Sequence, residues 1–447
     1  MEIAKPGSTT GLFDPTMVDK LIQVERMPIE SAEKRKEKIV EEKTEFESLV
    51  TLVNDLDASL YPLRSKLDFY KMKVESSHPD ILDGEVQGYT IPGSYEFEVR
   101  GLAKNEKELA YGFPDKDDTS VGFGYMLIGR DDKEDIEVTV DPGSTLEDVV
   151  TQINAADAGV TAMVINTKYK PDPYRLLVIS NDSGKEAKIT LDEDTTYLEF
   201  KEQVTGRNLD VLFEDVPVTD EDNNLEALVD GVVFNARRSE PGTRVQVNVT
   251  YDIDKTMESI TAFIEKYNDV SSFINSQFVV DPKTNRAGIL AGDSSIKQIM
   301  RTLQGAVVSS VKTGGKYSTL AEIGITTDPK SGSLKMDDTK VRQALTDDYE
   351  SAAKLFIRSE AGAGLSGRLA ESVKNFRDPK FGVLKSKVRA LDSIIKTSDQ
   401  EIENKERLLT QKAESIKRRF SNLEGTLSGL KAQENFLKQR FGGGQKK

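Results

Sequence analysis

Cysteine is absent from the chain, and histidine occurs once, as His78. Without cysteine there can be no disulfide, zinc–thiolate site, iron–sulfur cluster or thiol nucleophile. A single histidine removes multi-histidine metal sites and leaves a Ser–His–Asp triad only one base. That base sits in Ser77-His78-Pro79-Asp80, which reads as a linker. No run of about 18 apolar residues occurs, so no membrane insertion is expected. The first residues lack a basic segment followed by an apolar one and are not read as a secretory signal. Cations are in deficit: 61 Lys and Arg against 76 Asp and Glu give a formal charge of −15. That balance argues against nucleic acid as the main partner, because phosphate contacts need a Lys/Arg surplus on at least one face. What is present is 447 residues, 37% hydrophobic and 31% charged. That length suits about three domains, and the charge excess points to long solvated helices. Most enzyme chemistry is disfavoured, and no cofactor is expected.

Both ends read as helical. Met1 to Phe13 reads as a mobile arm, followed by Asp14-Pro15, where Asp14 can cap a helix and Pro15 suits its first position. Met17, Leu21 and Val24 give a short amphipathic helix that Pro28 is expected to end or kink. Phe46, Leu49, Val53, Leu56, Leu60, Leu63 and Leu67 then alternate at spacings of three and four, which keeps an apolar seam on one helical side. At the other end Val388, Ile395, Ile402, Leu409, Ile416, Leu423, Leu430 and Leu437 recur every seventh residue. A second line passes through Leu384 and Leu391, then changes phase to Ala413, Phe420, Leu427 and Phe441, with Ser398, Lys405 and Lys412 between. Such drift suits a helix that changes partner along its length. A continuous helix over 383–441 would be about 90 Å long at 1.5 Å per residue. Its stripe implies a partner helix, partly supplied by the N-terminal seam. Gly425 and Gly429 soften it, and Gly442-Gly443-Gly444 ends it.

The middle is different. Tyr95–Val99, Ile136–Val140 and Val245–Val249 alternate as half-buried strands, and Leu176–Ile179 and Val229–Phe234 add strand and turn signals. One helix, Ser144 to Ala156, interrupts them. From Asp254 to about Leu384 helices return. The expected fold class is α+β and multidomain: long N- and C-terminal coiled-coil helices, a helical-bundle domain, and inserted antiparallel β-rich head domains. The expected divisions are an arm and leg helices (1–70), a linker (71–84), a β-rich head (85–126 and 196–250), a β/α module inserted in it (127–195), a helical domain packing with the N-terminal helix (251–382), and a leg helix with a flexible tail (383–447).

Chemistry motifs are weak. Gly362-Ala363-Gly364-Leu365-Ser366-Gly367 matches G-x-G-x-x-G, but the preceding segment looks helical, so a flexible helix–helix connection is expected. Asp220-x-Asp222-x-Asn224 starts like a calcium loop, then has Leu225 where Gly and Gly231 where Glu are required, and reads as an acidic turn. Asp293 with Ser294 reads as a helix cap ahead of Ile296, Ile299, Met300 and Leu303. Asp131 and Asp132 read as solvated loop acids; only a carboxylate hydrolase in the head would use them.

Several segments occur together in order. They are Gly11-Leu12-Phe13-Asp14 through Leu21-Ile22 to Glu25-x-x-Pro28, then Gly288-Ile289-Leu290-Ala291-Gly292-Asp293-Ser294-Ser295-Ile296, then Leu320-Ala321-Glu322-Ile323-Gly324-Ile325, Gly332-Ser333-Leu334 and Leu355-Phe356. Phe420-Ser421-Asn422-Leu423-Glu424 closes the set, and Leu146–Leu191 resembles a small module of flagellar axial proteins. The layout resembles the flagellar filament cap family, hook-associated protein 2, over nearly the whole chain. The resemblance implies a homo-oligomeric ring of about four to six subunits at the distal, extracellular tip of the flagellum. Head domains would form a plate, and the helical legs would reach into the growing filament. Flagellin would be retained and inserted beneath the plate. The resemblance further implies export through the flagellar type III apparatus, an export chaperone on the C-terminal helix, and the hook–filament junction protein as a neighbour. It makes Leu290, Ala291, Gly292, Asp293, Ser294, Ile323, Gly324 and Ile325 motif residues of the helical domain. The alternatives are an extracellular coiled-coil adhesin, whose head would bind a surface, and another axial protein of the junction type.

Overall fold

The computed structural model describes residues 16–130, 133–280, 282, 287–358 and 362–441. The chain divides into two units, Tyr70–Lys255 and the combination of Met1–Phe69 with Thr256–Lys447. The first helices are α1 (Thr16–Arg64) and α2 (Lys66–Phe69). Helix α1 continues through Pro28, so of the two outcomes expected there, an end or a kink, the helix does not end. Proline removes one hydrogen bond there, while the rest of the ladder and a partner helix persist on either side. The Asp14-Pro15 start and the arm before it lie outside the described residues.

The unit Tyr70–Lys255 holds β1 (Met72–Ser76), β2 (Leu82–Val86), β3 (Gly93–Gly101), β4 (Asn105–Ala110), β5 (Gly122–Arg130), β6 (Lys133–Val140), α3 (Leu146–Ala155), β7 (Val160–Asn166), β8 (Tyr174–Ser183), β9 (Ile189–Thr196), β10 (Phe200–Val204), β11 (Leu209–Phe213), β12 (Val216–Asp220), β13 (Asn224–Val229), β14 (Val232–Ala236) and β15 (Val245–Tyr251). Every pairing among them is antiparallel. A five-stranded sheet, β1-β15-β3-β11-β12, and a three-stranded sheet, β13-β14-β2, share a core that includes Phe97, Val211, Phe234 and Val247. The sheets β10-β4-β8-β7 and β6-β5-β9 share a second core with α3, through Val149, Ile153, Met126 and Leu176. Helix α3 starts where a capping box predicts: Thr145 Oγ1 accepts from Asp148 N, and the Asp148 carboxylate accepts from Thr145 N.

Ala110, Phe113, Val121 and Met126 belong to this second core. The inserted body therefore reaches back to β4 and forward to β10, beyond the 127–195 read from the sequence. The residues of β4 and β10 fall within the 85–126 and 196–250 assigned to the head from the sequence, but these strands pair with each other and β4 pairs with β8 of the inserted body.

The other unit continues with α4 (Ile253–Phe278), α5 (Ser294–Val308), a short 3-10 turn at Ala321–Ile323, β16 (Ile325–Thr327), β17 (Leu334–Met336), α6 (Asp338–Asp347), α7 (Tyr349–Phe356), α8 (Leu365–Arg377) and α9 (Val383–Phe441). Helix α1 packs along α9 and also against α8. Phe46, Leu49, Val53, Leu56, Leu60 and Leu63 are fully buried in this unit, each contributing about 1.5–3 kcal/mol. Leu67 departs from the seam and is 66% exposed. The helix breaks after Arg64, and Phe69 fills the core in its place, packed on Tyr349 and Phe356 at ring-centroid distances of 5.8 and 5.6 Å. Tyr349 fixes this end of the chain by donating its hydroxyl to the Phe69 carbonyl at 2.5 Å. Among the described residues no helix is long and apolar enough to cross a membrane.

Candidate functional site

The two terminal helices are antiparallel partners. Glu25 pairs with Lys412 at 2.6 Å, Arg35 with Glu401 at 3.8 Å, Lys36 with Asp399, and Lys43 with Asp392 at 2.7 Å. As the residue number falls along one helix it rises along the other. These pairs are solvated and worth at most about 1 kcal/mol each, so they specify register more than they stabilise. The hydrogen bond from Lys43 to Asp392 holds the lysine above its usual pKa.

The apolar seam of α9 follows this register only part of the way. Leu384 and Leu391 are buried, and Val388, Ile395, Ile402, Leu409 and Ile416 are half-buried. Ser398 and Lys405 occupy seam positions and are also half-buried, so the seam is locally polar. Beyond Leu409 the inward line moves to Ala413, Phe420 and Leu427. Leu423, Leu430 and Leu437 are left 50%, 56% and 52% exposed. The antiparallel register accounts for this: continuing the pairs Arg35–Glu401 and Glu25–Lys412 carries Leu423, Leu430 and Leu437 past Thr16, the first described residue of α1, so no described residue of α1 lies beside them. A strict seven-residue line also drifts about 20° per heptad around a straight helix, which moves the seam relative to α1 along the paired stretch. At the same end of the pair, α1 exposes Met17, Leu21, Val24 and Met27. Met27 and the exposed Phe436 of α9 belong to no seam read from the sequence; only their helical spacing could have signalled them. This end therefore carries apolar stripes on both helices, a surface suited to partner helices.

The motif residues of the helical domain are structural. Gly288 N donates to Gln277 O at 3.0 Å, and Leu290 N reaches Gln277 Oε1 at 3.3 Å, docking the turn on α4. Leu290 is buried, Ala291 is half-buried, and Gly292 is exposed. Asp293 is the cap residue of α5, accepting from Ser295 N at 2.7 Å, and Ser294 is the first helical residue, exposed. Asp293 also pairs with Lys387 of α9 at 2.5 Å, and the Lys387 ammonium lies 5.9 Å from the Phe46 ring centroid. Burial disfavours the charged Asp293, but Lys387 and Ser295 hold its carboxyl below the usual range. Ile323 and Ile325 are buried on either side of Gly324, which sits at φ +95°. A Cβ there would meet Lys340 Cβ at 2.6 Å, so only glycine fits.

Among the described residues the other motifs bring no catalytic set of side chains together. His78 Nδ1 is 3.0 Å from Ser77 Oγ, both exposed, and the nearby Asp80 is engaged by Arg238 at 2.7 Å. Asp220 and Asp222 form the expected acidic turn, with Asp222 N donating to Asp220 Oδ1 at 3.1 Å. Asp131 and Asp132 lie outside the described residues. Of the connection expected to be flexible, residues 359–361 lie outside the described residues, and Gly364 at its end packs closely. Its backbone is so close to α7 that a Cβ would sit 2.3 Å from the Phe356 carbonyl oxygen, and Ser366 Oγ donates to Leu63 O at 2.9 Å.

Known proteins share this layout. The profile described as flagellar hook-associated protein 2 C-terminus matches residues 206–432, about half the chain, and the N-terminus profile of that family matches residues 11–106. A flagellin hook IN motif profile matches residues 129–182, within the inserted body. The A-type flagellar hook-associated protein 2 of Pseudomonas aeruginosa is 26% identical over 456 aligned residues, covering 95% of this chain and 94% of the relative. Flagellar hook-associated protein 2 of Salmonella typhimurium is 26% identical over 350 residues, covering 72% of this chain and 73% of its own. In fold, the D1-D2-D3 domains of the flagellar cap protein FliD from Escherichia coli align with TM-score 0.61 at 22% identity, over 78% of this chain and 99% of that one. The adhesin and junction-protein alternatives are not favoured by these matches. The chain belongs to the flagellar hook-associated protein 2 family, the structural caps of the flagellar filament.

Proposed function

We propose that this chain, as a filament cap, uses the exposed C-terminal stretch of α9 and the start of α1 to engage filament subunits at the distal tip while copies of the chain associate into a ring. Exported flagellin is retained under that ring and added to the filament. The observation that carries the reading is the exposure of Leu423, Leu430 and Leu437 on a helix whose earlier part is paired with α1. Each of these leucines gains about 1–2 kcal/mol on burial, enough for several together to hold a partner helix. Gly425 and Gly429 lie among them, each costing about 1 kcal/mol of helix stability, which keeps the contact reversible as the cap advances. The same stripe is the natural ligand of an export chaperone before secretion, since it is the largest apolar run on the helix that α1 leaves uncovered. The hook–filament junction protein is the neighbour met before flagellin is present. No catalytic step enters this account.

The test is deletion of the gene in its own organism. The expected outcome is flagellin monomer in the medium and hooks without filaments, restored by the full-length gene. Normal filaments in the deletion strain would overturn the proposal.

A further inference from the structure

The inserted body gathers three carboxylates from β4 and β10. Glu106 and Glu108 lie two residues apart on β4 and so share a face, the same face as the core residue Ala110. Strand β10 places Glu202 directly opposite Glu108 in the antiparallel register. One carboxylate oxygen from each of the three lies within 4.8 Å of the others. Like charges directly opposite each other across a strand pair are destabilising, and here a third carboxylate joins them.

Glu106 is 1% exposed. Its Oε2 accepts one long bond, 3.4 Å, from Gly206 N, and its Oε1 has no hydrogen-bond partner among the described residues. A buried carboxylate oxygen left in that condition is costly unless a cation or proton completes it. Burial pushes Glu106 up, with Glu202 adding to the rise and the backbone N–H groups of Gly206 and Ile189 and the Lys188 ammonium opposing it; burial with Glu106 and Glu202 raises Glu108 to about 7, opposed by Lys188. The connection after β10 presses close over the site: a Cβ on Gly206 would lie 3.3 Å from Glu106 Oε2 and 2.6 Å from Gly184 O. Glu202 forms the open rim, where Thr205 Oγ1 hydrogen-bonds to it.

We propose that Glu106, Glu108 and Glu202 bind one calcium ion, which ties β10 to β4 at the edge of the inserted sheet. The donor set is oxygen only, which selects a hard cation over zinc or copper. Its one-sided, partly exposed geometry leaves positions for water and suits the flexible coordination of calcium better than the strict octahedron of magnesium. The charge count balances as well, since a divalent ion offsets most of three carboxylates.

The test is calorimetric titration of the full-length chain with calcium chloride and, separately, magnesium chloride, beside thermal melts in each salt. The expected result is one calcium per chain with a dissociation constant on the order of 10⁻⁴ M, magnesium about tenfold weaker, and a higher melting temperature in calcium. Glu202→Gln, on the exposed rim, and Glu108→Gln are each expected to weaken calcium about tenfold or more. The double variant Asp220→Asn/Asp222→Asn, in the other acidic turn, should bind as the parent does. No calcium heat at millimolar concentration, binding unchanged in Glu202→Gln, or loss of binding in the Asp220/Asp222 variant would each overturn the proposal. Equal affinity for magnesium would overturn the assignment to calcium.

Discussion

The Asp293 carboxylate caps α5 and at the same time accepts the Lys387 ammonium of α9 at 2.5 Å. A residue in the most specific segment of the sequence is thus the joint between the helical body and the long C-terminal helix. Its side chain is largely buried, so the bond is stronger than a surface pair.

Replacing Lys387 with Met keeps the stem and removes the charge. Stability at pH 7 should fall by about 1–2 kcal/mol, read as a lower urea midpoint. The folded Asp293 titrates below its unfolded value of about 3.9. Its contribution is therefore complete above that pH and lost as pH falls through the folded value. The gap between parent and Lys387→Met should accordingly narrow below about pH 3. A gap that widens in acid would contradict the assignment.

Gly324→Ala should destabilise the helical unit by about 1–3 kcal/mol, because the residue combines positive φ with a 2.6 Å approach to Lys340 Cβ. Gly292→Ala serves as the contrast within the same set of motif residues. An added Cβ there meets nothing within 4 Å, and the melting temperature should scarcely move.

Along α1, Leu60→Ala should cost about 2–5 kcal/mol and Leu67→Ala less than about 0.5 kcal/mol, although the sequence spacing treats them alike. Thermal melts of the two variants compare them directly. Equal losses would mean that the seam continues past Arg64.

Much of this fold is legible in the residues. Heptad spacing announces both terminal helices, strict alternation announces β3, β6 and β15, and the apolar spacing within Ser144–Ala156 announces α3. What escapes is whatever depends on distant partners. The spacing of Leu423, Leu430 and Leu437 continues that of Val388, and only the register with α1 shows that they lie past its described residues while Val388 lies beside it. Leu67 is displaced by Phe69 because the helix breaks one turn early, which no local signal dictates. Pro28 reads as an end or a kink, yet the pairing of α1 with α9 carries the helix through it. Glu106 and Glu202 are 96 positions apart, and only the β4–β10 register brings them together. The candidate contact surface was thus visible as a stripe, while its division into covered and uncovered halves required the structure.

The central claim is that the outward stripe of α9 acts on the filament and not on the fold. The double variant Leu423→Asp/Leu430→Asp, expressed in place of the parent gene, tests it by electron microscopy of filament length. The purified variant should melt within about 2 °C of the parent, since both side chains are already half-exposed. Filament extension should be abolished. Filaments of normal length on cells carrying a stably folded double variant would contradict the account.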